Sequence, residues 1–197
     1  MKRVLVKFYK KGDARFLSHR ETMRALERAL RRSGVALVFT EGYNPRLRMS
    51  FSPALPLGVA AEAEYLEVSV GEEPDLQAAR ESMDRSLPLG LGIVSMQVLP
   101  PHMPRLSRWT RYGLYRVEAD GSRFHLALRL SGEGEGRLKE ALVRLGEYLR
   151  RDLQGGEVTR VGIYASREEV AEEVAGPLYL YRGREGELEV MQGGHKE

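Results

Sequence analysis

The chain has 197 residues, 42% of them hydrophobic and 30% charged, with a formal net charge of +3 and no cysteine. That length suffices for one large or two small cores, and the missing thiols exclude disulfides, thiolate catalysis, iron–sulfur clusters and cysteine-ligated zinc. No apolar run approaches the roughly 20 residues that span a bilayer, and the N-terminal MKRVLVKFYKKGD alternates where a signal peptide is continuously apolar, so a cytoplasmic protein with no membrane association is expected.

In chain order, Val4, Val6 and Phe8 alternate and predict a first strand over Val4–Tyr9, broken by Gly12 and Asp13. Ser18 and Glu21 form an S-x-x-E capping box with Ser18 as N-cap, and Met23, Leu26 and Leu30 follow at helical spacing. Gly34 ends that helix just after Arg31 and Arg32. A second strand is expected over Val35–Thr40, a turn at Glu41–Arg46, and an edge strand or extended loop over Met49–Leu55. Tyr65–Val70 reads as a strand, Leu76–Leu87 as a helix started by Pro74 and Asp75, and Gly90–Leu99 as a strand. The order β-α-β-loop-β-α-β is the ferredoxin-like pattern.

Three prolines within Pro100–Arg108 mark a linker. Beyond it the pattern predicts strands over Tyr112–Ala119 and Arg123–Leu130 around an Asp120-Gly121 turn, a helix over Leu138–Leu149, and a strand over Val158–Ala165. A short helix over Glu168–Val174 and a closing hairpin, Leu178–Tyr181 with Leu188–Met191, complete it. The expected fold class is therefore α+β: a ferredoxin-like half over residues 1–100, a linker over 101–110, a second, smaller α+β half over 111–192 that is ferredoxin-like or a variant of it, and a frayed tail over 193–197.

The modest net charge hides a segregation. Residues 1–50 carry 13 Lys/Arg against 4 Asp/Glu, and residues 51–100 carry 2 against 8. A concentrated positive field attracts phosphates. Within the first helix Arg20, Arg24, Arg28 and Arg31 follow at intervals of four, four and three residues, interrupted at the edge by Glu27. Like charges at that spacing repel by roughly 0.2–0.5 kcal/mol per pair, so such a row calls for an anionic partner. His19 opens the helix four residues before Met23 and is placed on its inward side. No carboxylate is positioned by sequence to serve it as acid or base, so it is read first as a packed or phosphate-facing imidazole.

Tyr43-Asn44-Pro45-Arg46-Leu47-Arg48 holds the only asparagine of the chain, an aromatic ring and two guanidiniums. Asn-Pro is a turn former, and aromatic-plus-arginine is also the chemistry of single-stranded RNA recognition; both readings stand. Arg105, Arg108, Trp109, Arg111 and Tyr112 repeat the theme at the linker, where a tryptophan is usually a packing anchor. Gly132, Gly134 and Gly136 precede a helix as a phosphate loop would, but Glu133 and Glu135 between them repel phosphate, and no nucleotide site is expected there. The four histidines show no ligand spacing, and neither a metal nor a cofactor is expected.

The combination ARFLSHRETMRALERALRRSG, FTEGYNPRLRMSFSPALPLGV and AEYLEV resembles the radical SAM-linked protein family, a domain of unknown function found alone or fused behind a radical SAM enzyme. The resemblance is dense over residues 3–70 and places family motif positions at Arg15, Ser18, His19, Glu41, Gly42, Asn44, Pro45, Ser50, Pro56 and Gly58. It implies no catalytic residues. It implies an RNA-related role and a separate radical SAM protein as partner, since a chain without cysteine cannot hold the cluster.

The expectation is a non-enzymatic module that binds RNA or another phosphate-rich ligand through Arg15, His19, Arg20, Arg24, Arg28, Arg31, Tyr43, Asn44, Arg46 and Arg48. Two alternatives remain open. One is an RNA-modifying or RNA-cleaving enzyme with His19 as acid/base and Arg15 as clamp. The other is a protein-interaction subunit whose basic face docks on an acidic enzyme surface.

Overall fold

The computed structural model describes residues 1–131, 137–153, 155–183 and 186–194. The glycine run at 132–136 and the end of the tail, 195–197, lie outside the described residues. The chain is a mixed α+β protein that divides into two compact units, Met1–Ser107 and Arg108–Glu197.

The first unit runs β1 (Lys2–Lys10), a 3-10 turn (Gly12–Phe16), α1 (His19–Arg32), β2 (Met49–Phe51), β3 (Ala60–Val70), α2 (Leu76–Ser86) and β4 (Leu91–Leu99). β1 lies between β3 and β4, and β2 pairs with β3; all these pairings are antiparallel. The strand expected over residues 35–40 is not one. That segment makes two isolated bridges, Leu37 with Val70 and Phe39 with Leu47, and its remaining backbone bonds are irregular. Val70 is the last residue of β3 before Gly71, so a β-rich segment finds too little strand to pair with.

Alternation decides what faces α1. Val4, Val6 and Phe8 of β1 and Leu66, Val68 and Val70 of β3 form the core with Leu26, Ala29 and Leu30 of α1, Met83 of α2 and Ile93 of β4. Burying Leu26 or Leu30, each at most 1% exposed, contributes about 2 kcal/mol. The same parity carries two charged residues inward. Lys10 follows Phe8 and is 2% exposed; Glu64 precedes Leu66 and is 5% exposed. On the opposite face of the strands, Glu67 accepts from Arg3 at 3.2 Å, from Arg105 at 2.9 Å and from the backbone N–H of Leu106 at 3.0 Å.

β4 carries no charged side chain, and its pairing with β1 is bulged: Lys7 opposes Ser95 and Phe8 opposes Ile93, leaving Val94 over. Asp84 of α2 accepts the backbone N–H of Ile93 at 2.7 Å.

A single helical turn, α3 (Leu106–Trp109), lies where the two units divide. The second unit continues with β5 (Tyr112–Ala119), β6 (Ser122–Arg129), α4 (Leu138–Leu149), β7 (Glu157–Tyr164), α5 (Arg167–Glu172), β8 (Gly176–Arg182) and β9 (Glu187–Gly193). Its strands are ordered β7-β5-β6-β8-β9, with β6 and β8 parallel. The β5–β6 hairpin turns on Asp120 and Gly121 at φ 49° and 69°, the paired positive φ of a type I′ turn. The element order ββαβαββ differs from that of the first unit. Of the residues expected to fray, 193 and 194 are held: Gly193 closes β9 and the Gly194 N–H donates to the Ala171 carbonyl at 3.0 Å.

Candidate nucleic-acid interface

α1 is cleanly two-sided. Thr22, Ala25, Leu26, Ala29 and Leu30 are buried, and the period of 3.6 turns Arg20, Arg24 and Arg28 to solvent one helical turn apart, about 6 Å along the axis. Arg31 departs from the row. It pairs with Glu27 at 2.7 Å and stacks its guanidinium 5.1 Å from the Phe39 ring centroid. Other cations of this unit are also neutralised: Lys2 by Glu73, Arg3 and Arg105 by Glu67, Arg80 by Asp84 at 3.9 Å. Arg20, Arg24 and Arg28 have no ion pair among the described residues.

The head of α1 is closed to anions. The Ser18 backbone N–H and hydroxyl donate to Glu21 Oε2 at 2.8 and 2.7 Å, and the Glu21 N–H donates to Ser18 Oγ at 3.2 Å. The Ser18 side chain, then its backbone N–H, hold the Glu21 carboxyl below the usual carboxylate range. A carboxylate therefore already occupies the positive end of the helix.

The Tyr43–Arg48 loop does not join this row. Thr40 and Arg46 tie its neck, with N–H to carbonyl at 2.8 Å and the Arg46 N–H to the Thr40 hydroxyl at 2.9 Å. Tyr43 at the tip is fully exposed, and Asn44 and Arg46 are exposed. Leu47 and Met49 both pack into the core under α1. Arg48 between them therefore leaves on the other side, where its Nη1 lies 4.0 Å from Met1 Sδ. Arg31, through Phe39, is the member of the row that reaches the loop.

His19 is the first residue of α1 and is exposed, but its ring meets Phe51 edge-to-face at 5.9 Å. With Phe8, Lys10, Thr22, Phe51, Ser52, Leu55 and Glu64 it lines a depression of about 20 Å³, room for one water. Ser52 Oγ donates to Glu64 Oε2 at 3.0 Å and accepts the Tyr65 N–H at 3.2 Å; Lys10 Nζ donates to the Leu17 carbonyl at 2.5 Å. Folding thus brings to His19 the carboxylate that sequence spacing did not supply. Lys10, Ser52 and Glu64 were missed because each needs a neighbouring strand to become part of a site. The available signal was parity, since Lys10 and Glu64 each extend an inward-facing series. Arg15 sits in the preceding 3-10 turn, its guanidinium 4.8 Å from the Phe16 ring centroid and its Nε buried with no hydrogen-bond partner. Its carbonyl accepts the Gly58 N–H at 3.0 Å.

No cluster of three or more His, Asp or Glu among the described residues could hold a metal ion, and no helix there is long and apolar enough to cross a membrane. A family model described as "Uncharacterized protein conserved in bacteria (DUF2344)" matches residues 3–150, and the chain belongs to that family. No curated protein matches the chain.

Proposed function

We propose that this member of an uncharacterised bacterial family is a non-enzymatic module that binds single-stranded RNA through the outer face of α1 and presents it to a separate radical SAM enzyme. The observation that carries the reading is the row itself: Arg20, Arg24 and Arg28 stand one helical turn apart on the exposed face of α1, with no carboxylate partner among the described residues, whereas Arg31 at the end of the row pairs with Glu27. Three cations at successive turns repel one another unless a polyanion lies across them. The strand order β4-β1-β3-β2 supports reading the first unit as ferredoxin-like. The radical SAM partner follows from the sequence resemblance, and the absence of cysteine assigns the cluster to that partner.

A filter-binding titration of a single-stranded RNA across salt concentration tests it. Three phosphate contacts give a log–log slope of about −2. A flat slope, or no binding at low salt, rejects the reading. For the partner, the tagged chain is purified from its own cells; absence of a radical SAM protein in the eluate rejects that half.

A second reading, an RNA-processing enzyme with His19 as acid/base, is favoured by Glu64 and Lys10 lining the same depression. His19→Ala would then abolish turnover while leaving the salt slope intact, whereas a binding module shows no turnover in either form.

A further inference from the structure

We infer that the second unit carries an RNA contact of its own at the end of α4, where Tyr148 stacks an unpaired base and Arg150 and Arg151 hold the adjoining phosphates. The inference rests on the RNA-binding reading and deepens it.

The aromatic platform follows from strand parity. Leu178 and Leu180 of β8 pack into the core with Val170 and Val174, so Tyr179 between them turns to the other face of the sheet. There its ring meets Phe124 of β6 edge-to-face at 6.5 Å and Tyr148 of α4 at 5.8 Å. Tyr179 is 8% exposed and Tyr148 58%. A buried ring thus supports one that stands in solvent. A supported, exposed tyrosine offers stacking area to any base, because every base has a π-face.

The cations beside it come from a turn that breaks two local rules. Gly146 lies inside α4, where glycine weakens a helix; a Cβ there would fall 2.7 Å from the Arg151 carbonyl oxygen. Arg150 caps the helix in the left-handed region at φ 53°, a conformation that glycine adopts without strain. Both departures serve one outcome. The chain folds back on α4, and the Arg151 N–H donates to the Gly146 carbonyl at 2.9 Å. The Arg151 guanidinium then lies 5.7 Å from the Phe124 ring centroid and donates to Ser122 Oγ at 2.7 Å. Cations at this end also answer the negative pole of the helix, but residues before the cap fill that role without strain. Neither Arg150 nor Arg151 has a carboxylate partner among the described residues, and Glu147 of the same turn is paired with Arg144 at 3.0 Å. An exposed ring beside guanidiniums free of carboxylates is the combination that grips single-stranded RNA.

The test uses the full chain and two single-stranded RNAs of equal length, an oligouridylate and an oligomer of abasic residues. Tyr148→Ala should weaken oligouridylate binding at least about fivefold, the lower end for one stacked base, and leave abasic binding unchanged. Tyr148→Phe should bind as the native chain does, because stacking uses the ring and not the hydroxyl. Native affinity in folded Tyr148→Ala overturns the inference, as does an equal loss on both RNAs. Arg150→Gly removes the backbone strain together with the cation, so the melting temperature should rise while the salt slope falls by about 0.7. A raised melting temperature with an unchanged slope overturns the phosphate role. If the native chain binds neither RNA at low salt, the RNA-binding reading falls too. If Arg24→Ala weakens binding and neither Tyr148→Ala nor Arg150→Gly does, only this inference falls.

Discussion

Ser18 and Glu21 hold each other at the start of α1: each backbone N–H donates to the other's side chain, and the Ser18 hydroxyl adds a bond to the Glu21 carboxylate at 2.7 Å. The pair sets where the helix begins, and hence which arginines face outward. Ser18→Ala should cost about 1 kcal/mol of stability, read as a lowered urea midpoint with unchanged slope.

The same pair sets an acid limb. Its folded-state carboxyl lies below the ordinary value because of the Ser18 bonds, so its contribution is present above the unfolded value and is lost as pH falls through the depressed one. Glu21→Gln should flatten the acid side of a stability-against-pH curve. The assignment fails if the mutant and native curves remain parallel below the ordinary carboxylate range.

Along the row, Arg24→Ala and Arg28→Ala should each lower the salt slope for RNA by about 0.7 and weaken binding to all sequences alike. Arg31→Ala should change the slope less, because Glu27 already neutralises that cation. A loss at Arg31 equal to the others would contradict the arrangement.

Much of the local structure was legible. The capping box fixes α1, α2 begins at the expected Leu76 just after Asp75, and α4 occupies the expected Leu138–Leu149, since each depends on contacts within a few residues. Residues 35–40 misread because Val-Ala-Leu-Val-Phe-Thr has strand composition, whereas strand identity requires a partner long enough to pair with. The site divided in the same way. The guanidinium row is local and was legible. The division between it and Arg48 depends on Leu47 and Met49 both turning inward, and the depression depends on β1 lying beside β3.

Glu67 is 3% exposed and serves both Arg3, itself mostly covered, and the more exposed Arg105. Glu67→Ala should destabilise by about 3–5 kcal/mol, because it leaves a covered cation uncompensated. Arg105→Ala should cost far less. Thermal melts of both variants check the asymmetry.

His125 titrates below the ordinary imidazole value of 6.5, pushed down first by burial and then by Arg123 and Arg116. Its neutral form is the folded one, so stability declines as pH falls from 6.5 toward the depressed value. An NMR titration should place its midpoint below 6.5; a midpoint above that value contradicts the assignment.

The Asp84–Ile93 bond and the surplus Val94 have a consequence for how the protein survives at high concentration. Leu91–Leu99 is a nine-residue strand without a single charge, the composition that recruits further chains into growing ribbons. One aspartate occupies an amide that an incoming chain would use, and the kink spoils the register for the next. Asp84 therefore acts as a gatekeeper, and its loss would first be seen as turbidity.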